Sequence, residues 1–348
     1  MSNQEDRPDE IATGVATAPQ GGPQGGPEGG PESGPEGQTT PEILTPRDVP
    51  LGGPRAMRVR RTLPQRHRSL IGAWCFVDHY GPDDVVDTGG MTVPPHPHTG
   101  LQTVSWLFTG EVEHRDSAGH HAMVRPGEVN LMTAGRGISH SEVSTRATTT
   151  LHGAQLWVAL PDADRHTDPG FAHHVPTPVT GPGWEARVFL GSLLGDTSPV
   201  PTATPLLGAE VVLEQHTVLE LDVDETFELG VLVDTGVVGV GGVGDGGIEA
   251  KAHELAYVPP GRSTLTLTSY GEPVRLLLLG GPPFGEPIVM WWNIVARTHE
   301  EVVEWRSRWQ AQITDAGLVD GWFGIPVGDE LPPIPAPPLP NARLKERR

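Results

Sequence analysis

The feature that most narrows the folds open to this chain is its punctuation. Through the body, apolar residues come in short alternating runs, each cut off by Gly, Pro or Asp. "LQTVSWLFTGEVEHRDSAG" (101–119) alternates around Val104, Trp106 and Phe108, then turns at Gly110 and again at Ser117-Ala118-Gly119. "RPGEVNLMTAGRGISHSEVS" (125–144) reads as strand, Gly-rich turn and strand, and "LHGAQLWVAL" (151–160) as a strand ended by Pro161. A second set begins near 186 with "ARVFLGSLLG" and runs through "AEVVLEQHTVLELDV", "FELGVLVDTGVVGVGG", "ELAYVPPG", "STLTLTS" and "VRLLLLGG". Period-two alternation with frequent turns predicts an all-β sandwich or barrel. "YVPPG" at 257–261 echoes "MVRPG" at 123–127, which suggests two related β-domains.

Helical periodicity is clear only late. "THEEVVEWRSRWQAQI" opens on Thr298 and Glu301 at capping-box spacing and sets Val302, Trp305, Trp309 and Ile313 on one face. This helix is expected to pack on a β-domain, with its Trp residues in the core. The ends have another character. "QGGPQGGPEGGPESGPEG" (20–37) lacks any apolar face to bury, so residues 1–44 read as a disordered tail. Residues 331–348 read as a Pro-rich, then basic tail.

A formal net charge of −20, with lysine only at Lys251 and Lys345, disfavours direct nucleic-acid binding. The basic run "RAMRVRRTLPQRHR" (55–68) alternates with Met57, Val59 and Leu63 and reads as a solvated strand face. Cys75 is the only cysteine, which excludes an intramolecular disulfide and a Cys-rich metal site; its apolar setting predicts a buried thiol. The N-terminus has no apolar signal region and no run has membrane length, so a cytoplasmic protein without membrane association is expected.

Two short stretches bring chemistry. "VPPHPHTGLQT" (93–103) places His96 and His98 two apart, and "AGRGISHSEV" (134–143) does the same with His140 and Glu142. On an extended backbone, residues i and i+2 point to one face. If the two strands oppose each other inside a barrel, three imidazoles and one carboxylate surround one point. That set suits a divalent first-row transition metal with coordination positions left open, whereas structural zinc is usually closed and often thiolate-bound. Pro97 suits a strand start or edge, and Gly135 and Gly137 permit a tight approach before the second pair.

At these residues the chain resembles a known family. "HPHTGLQTVSWLFTGEVEHRDSAGH" followed by "PGEVNLMTAGRGISHSE" is similar to the pirin family of the cupin superfamily. The resemblance extends from about 50 to 325 and is densest over 93–145. It implies an all-β bicupin: an N-terminal metal-binding domain over 45–178 and a C-terminal, metal-free domain with its helix over 179–330. It also implies one Fe(II) per chain, or another divalent transition ion, on His96, His98, His140 and Glu142. Many cupins carry a glutamate shortly after His-x-His; here Gln102 stands in that region and is expected not to ligate. His216 and His253 look isolated. His114 and Asp116 either line the pocket or shape the following turn. His120-His121 and His173-His174 point to opposite strand faces and chelate poorly, and His79 is undecided.

The resemblance implies two roles of different kinds. One is a quercetin 2,3-dioxygenase-type enzyme that opens a flavonol ring with O₂ and releases carbon monoxide, with Glu142 as base toward the flavonol hydroxyl. The other is a non-enzymatic, redox-responsive regulator that binds a protein partner, as a transcriptional cofactor or a modulator of metabolic enzymes.

Overall fold

A computed structural model describes residues 40–51, 57–241 and 247–348. The Gly-Pro-Glu tract assigned to the tail lies outside the described residues. The fold is a bicupin, two antiparallel β-sandwiches of matching build. In the first, seven strands run in the order Gly170–His174, Val129–Thr133, Leu101–Thr109, Thr150–Ala159, Trp74–Asp84, Met57–Leu63, Arg47–Leu51. They face a four-stranded sheet ordered Thr92–His98, Ile138–Ser144, Val112–Asp116, His121–Val124. The second domain repeats the plan, seven strands against four, around an aliphatic interior that includes Val188, Val211, Val231, Leu265 and Leu276.

The large sheets meet at a shared apolar seam. Trp106 stacks on Phe189 with ring centroids 4.6 Å apart, and Trp74 Nε1 donates to the Gly280 carbonyl at 3.2 Å. Leu63, Ile71, Leu232 and Leu277 fill the same cluster. The alternation that marked these runs as strands thus serves two faces, one toward each domain's own interior and one toward the other domain.

The two chain ends depart from the sequence expectation. Glu42–Leu44, placed in the tail, is a strand at the edge of the second domain's large sheet, paired with Leu255–Val258 and with Leu44 fully buried. The end of the chain makes the reverse crossing. After the strand Val274–Gly281, the hairpin Val289–Trp291/Ile294–Ala296 and the helix His299–Gln312 pack on the first domain, against Val59, Tyr80 and Leu107. The helix that the sequence reading grouped with the C-terminal domain thus packs against the first domain. Its cap is the expected one, with Thr298 Oγ1 accepting from Glu301 N, and Val302, Trp305 and Trp309 form the buried face.

Residues 331–348 are no loose tail either. Ile334, Ala336 and Leu344 are buried, Trp309 Nε1 donates to the Ile334 carbonyl at 2.8 Å, and Ile334 N donates to Pro95 O at 2.9 Å. Composition misled here because proline-rich backbone can dock in an extended form, satisfied by side chains, without a regular element.

The basic run over 55–68 is only partly solvated. Arg61 is fully buried, forked onto Asp78 through Nε–Oδ1 at 2.7 Å and Nη2–Oδ2 at 2.8 Å, and it lies 4.2 Å over the Phe76 ring. Arg68 pairs with Glu42 and stacks on Tyr257. Cys75 is buried, and burial holds its thiol far above the usual range. Among the described residues no helix is long and apolar enough to cross a membrane.

Candidate metal centre

The centre lies between the two sheets of the first domain. Thr92–His98 and Ile138–Ser144 are neighbouring antiparallel strands of the four-stranded sheet, with His140 directly opposite His96 and Ile138 opposite His98. The two His-bearing segments therefore lie side by side rather than facing each other across a barrel. Thr92–His98 is the edge strand, which accommodates Pro97, a residue with no ladder donor. Gly135 and Gly137 close the turn with φ of 51° and 152°. A Cβ at Gly135 would lie 2.1 Å from the Thr167 carbonyl oxygen, and one at Gly137 2.8 Å from the Trp322 ring.

His96, His98 and His140 are all fully buried, and their ligand atoms lie within 4.8 Å of one another. His96 Nδ1–H donates to the Pro94 carbonyl at 2.9 Å and His98 Nδ1–H to the Asn293 carbonyl at 3.0 Å. A carbonyl can only accept, so each bond fixes the tautomer and leaves the lone pair on Nε2. The Nε2 atoms of His96, His98 and His140 are buried without a hydrogen-bond partner. Burial, with neighbouring imidazoles such as His114 adding to it, holds all three well below the usual histidine range. Three neutral imidazoles with converging, unsatisfied nitrogens fit a divalent transition ion, whose charge would offset the cost of leaving them unpaired.

Glu142 is buried beside this trio, not at its centre. Its carboxylate groups with His114 and His140, ligand atoms again within 4.8 Å, and Ser105 Oγ donates to its Oε1 at 3.4 Å. The strand carrying His140 and Glu142 keeps a regular register against Val112–Asp116, whereas Thr92–His98 holds an extra residue between Val93 and His96, so Glu142 faces Val93 and not a histidine of that strand. Tyr80 is close enough that burial, with Glu142 and Asp78 adding to it, holds its phenol well above the usual range.

His114 and Asp116 satisfy both readings of them. His114 Nδ1 lies 3.4 Å from His140 Nδ1, and its Nε2 lies 3.3 Å from Asp116 Oδ2. Asp116 Oδ1 also accepts from Ala118 N and His120 N at 2.9 and 3.0 Å, which builds the turn. Gln102 Nε2 donates to Thr133 Oγ1 at 2.9 Å. The site's far wall comes from the large sheet: Trp157 meets His98 edge-on at 5.1 Å, and Ser105 Oγ donates to Gln155 Oε1 at 3.0 Å.

Sequence reading missed the segment that backs the strand of His140. Trp322 Nε1 donates to the Arg136 carbonyl, Ser117 Oγ to the Phe323 carbonyl and Ser139 Oγ to the Gly324 carbonyl. These residues follow the helix, and no local motif signals their partner. His253, expected to be isolated, is not; its Nδ1 lies 3.3 Å from His79 Nδ1 across the domain seam. His79 in turn groups with His152 and Asp234, all buried, as a second set of candidate metal ligands.

Comparison with known proteins agrees with this architecture. The Pirin family pattern matches residues 56–158, and that of the Pirin C-terminal cupin domain matches residues 208–314. A Pseudomonas aeruginosa protein named "Putative quercetin 2,3-dioxygenase" is 40% identical over 302 residues, covering 85% of this chain and 90% of that one. A pirin-like protein of Caulobacter vibrioides is 35% identical over 264 residues, 73% of this chain and 88% of its own length. The crystal structure of a quercetin 2,3-dioxygenase from Acinetobacter baumannii superposes with a TM-score of 0.79 at 37% identity, covering 88% of this chain and 98% of that one.

Proposed function

Because the chain belongs to the pirin family, we propose that it is a mononuclear iron protein with quercetin 2,3-dioxygenase-type activity, its Fe(II) held by His96, His98, His140 and Glu142. The observation that carries this reading is the convergence of three buried Nε2 atoms whose rings are already oriented through Nδ1. Iron with open positions would supply coordination for a flavonol oxygen and for O₂.

The remaining roles fall to the chain's own groups. Glu142, beside His140 and within reach of Ser105, takes the proton of the flavonol hydroxyl at its carboxylate. Asp116 and His114 hold the His140 ring through Nδ1. Trp157 and Tyr80 present apolar, buried surface that keeps bulk water from the reacting ring. The similarity to two named quercetin 2,3-dioxygenases supports a small aromatic substrate.

The test is anaerobic iron loading followed by O₂ uptake and carbon monoxide detection over a flavonol panel. Turnover that His140→Ala abolishes is expected. Flavonol binding with no carbon monoxide or ring-opened product above the metal-free control would refute the enzyme and leave the regulator as the better account.

A further inference from the structure

At the seam between the domains lies a group of side chains that the proposed chemistry does not use. His79 and His152 stand on the neighbouring first-domain strands Trp74–Asp84 and Thr150–Ala159, and Asp234 stands on Glu228–Thr235 of the second domain. All three are buried. His79 Nε2 and His152 Nε2 approach the same atom, Asp234 Oδ1, at 2.8 and 2.6 Å.

The two contacts differ in kind. His79 is aligned for a hydrogen bond to Asp234. His152 Nε2 lies 2.6 Å from the same oxygen, an ion-pair contact off the axis of a regular hydrogen bond. With His79 Nε2, these ligand atoms all lie buried within 4.8 Å of one another, the convergence that ligands of one ion show, and an entering ion would part His152 from Asp234 to roughly 3 Å.

Backbone irregularities deliver these side chains. The register breaks opposite His152, where the strand Trp74–Asp84 carries an extra residue between Tyr80 and Asp83, and again between Val233 and Thr235, where Asp234 is itself the extra residue. A bulge turns a side chain away from the direction the pleat would give it. Here the bulge at Asp234 sets its carboxylate toward the two histidines of the first domain. His253 approaches the same place from the left-handed region, at φ 75°, which a non-glycine residue adopts only at a cost.

The surroundings complete a binding site. Asp234 Oδ2 accepts from Arg275 Nε at 2.6 Å, which orients the carboxylate and leaves Oδ1 for a ligand. His79 Nδ1 faces His253 Nδ1. Asp83 and Glu210 join Asp234 nearby, set against Arg60, Arg187 and Arg275.

We propose that His79, His152 and Asp234 form a second divalent-metal site, separate from the His96 centre, that clips the two β-domains together. Two imidazoles and one carboxylate select a borderline transition ion such as Zn²⁺, Co²⁺ or Ni²⁺ over Ca²⁺ or Mg²⁺. On binding, the His79 proton moves from Nε2 to Nδ1, where His253 Nδ1 accepts its hydrogen bond; the imidazole stays neutral and Nε2 is free to ligate.

Anomalous diffraction from crystals of the intact chain loaded with Co²⁺ locates the ions directly. Two peaks per chain are expected, one of them between His79, His152 and Asp234. In solution, His96→Ala/His140→Ala should still take up one Co²⁺ per chain, and adding His152→Ala should remove it. At a hundredfold excess over Kd, that ion should raise the melting temperature by roughly 5 °C. No peak at the seam under saturating Co²⁺ overturns the proposal, and so does uptake that persists unchanged in His152→Ala, which would place the ion elsewhere.

Discussion

Replacing His114 with leucine separates ring positioning from ligation at the His96 centre. His96 and His98 are oriented by main-chain carbonyls, which no side-chain substitution removes. His140 is oriented by a side chain, His114, across a long 3.4 Å contact. Losing such an outer partner typically weakens metal affinity 10–100-fold, or about 1.4–2.7 kcal/mol. The length of this contact puts the expected loss near the lower end, roughly tenfold. Leucine fills much of the ring's volume, and Asp116 keeps its bonds from Ala118 N, His120 N and His120 Nδ1, so no buried carboxylate is stranded. The assay is competition for Co²⁺ against a chelator, with the melting temperature of the metal-free protein as control. Affinity within twofold of the native protein would refute the positioning role. A loss of several hundredfold would refute it differently, by placing His114 among the ligands.

Asp78→Ala leaves Arg61 buried and unpaired and should cost about 3–5 kcal/mol, whereas Arg61→Leu/Asp78→Leu should cost far less; equal losses in urea unfolding would contradict the pairing argument. A chain starting at Thr40 should melt within a few degrees of the full one, but one starting at Pro46 loses the strand Glu42–Leu44 and should melt clearly lower. Deleting 331–348 exposes the pockets of Ile334 and Leu344 and orphans Trp309 Nε1, an expected loss on the order of 4 kcal/mol by denaturant titration.

Legibility in the sequence followed the range of the signal. His96, His98 and His140 were readable because two-residue spacing on a strand is a local rule that the fold kept. Glu142 was readable as a neighbour, but the bulge between Val93 and His96 in the facing strand was not, since bulges leave no mark in alternation. The His79 group was hidden for the same reason and for another: its members lie up to 155 residues apart and meet only at a domain seam. Arg61 misled because an alternating Arg strand looks solvated until its outer face finds Asp78. The crossing of the chain ends was invisible, since neither "EIL" nor a proline-rich tail names the domain that receives it.

That crossing sets an order of events during synthesis. The ring of His98 is aimed by the carbonyl of Asn293, a residue made 195 positions later, and the segment Trp322–Gly324 that backs the His140 strand emerges later still. At a ribosome adding about 5–20 residues per second, the first domain leaves the exit tunnel well before these pieces exist. A nascent chain halted near residue 285 is therefore expected to hold Co²⁺ more weakly than the released chain; equal retention of the ion by both would show that the first domain completes its centre alone. Metal acquisition then becomes a late step, and a chain cut short in translation would not compete with finished molecules for the ion.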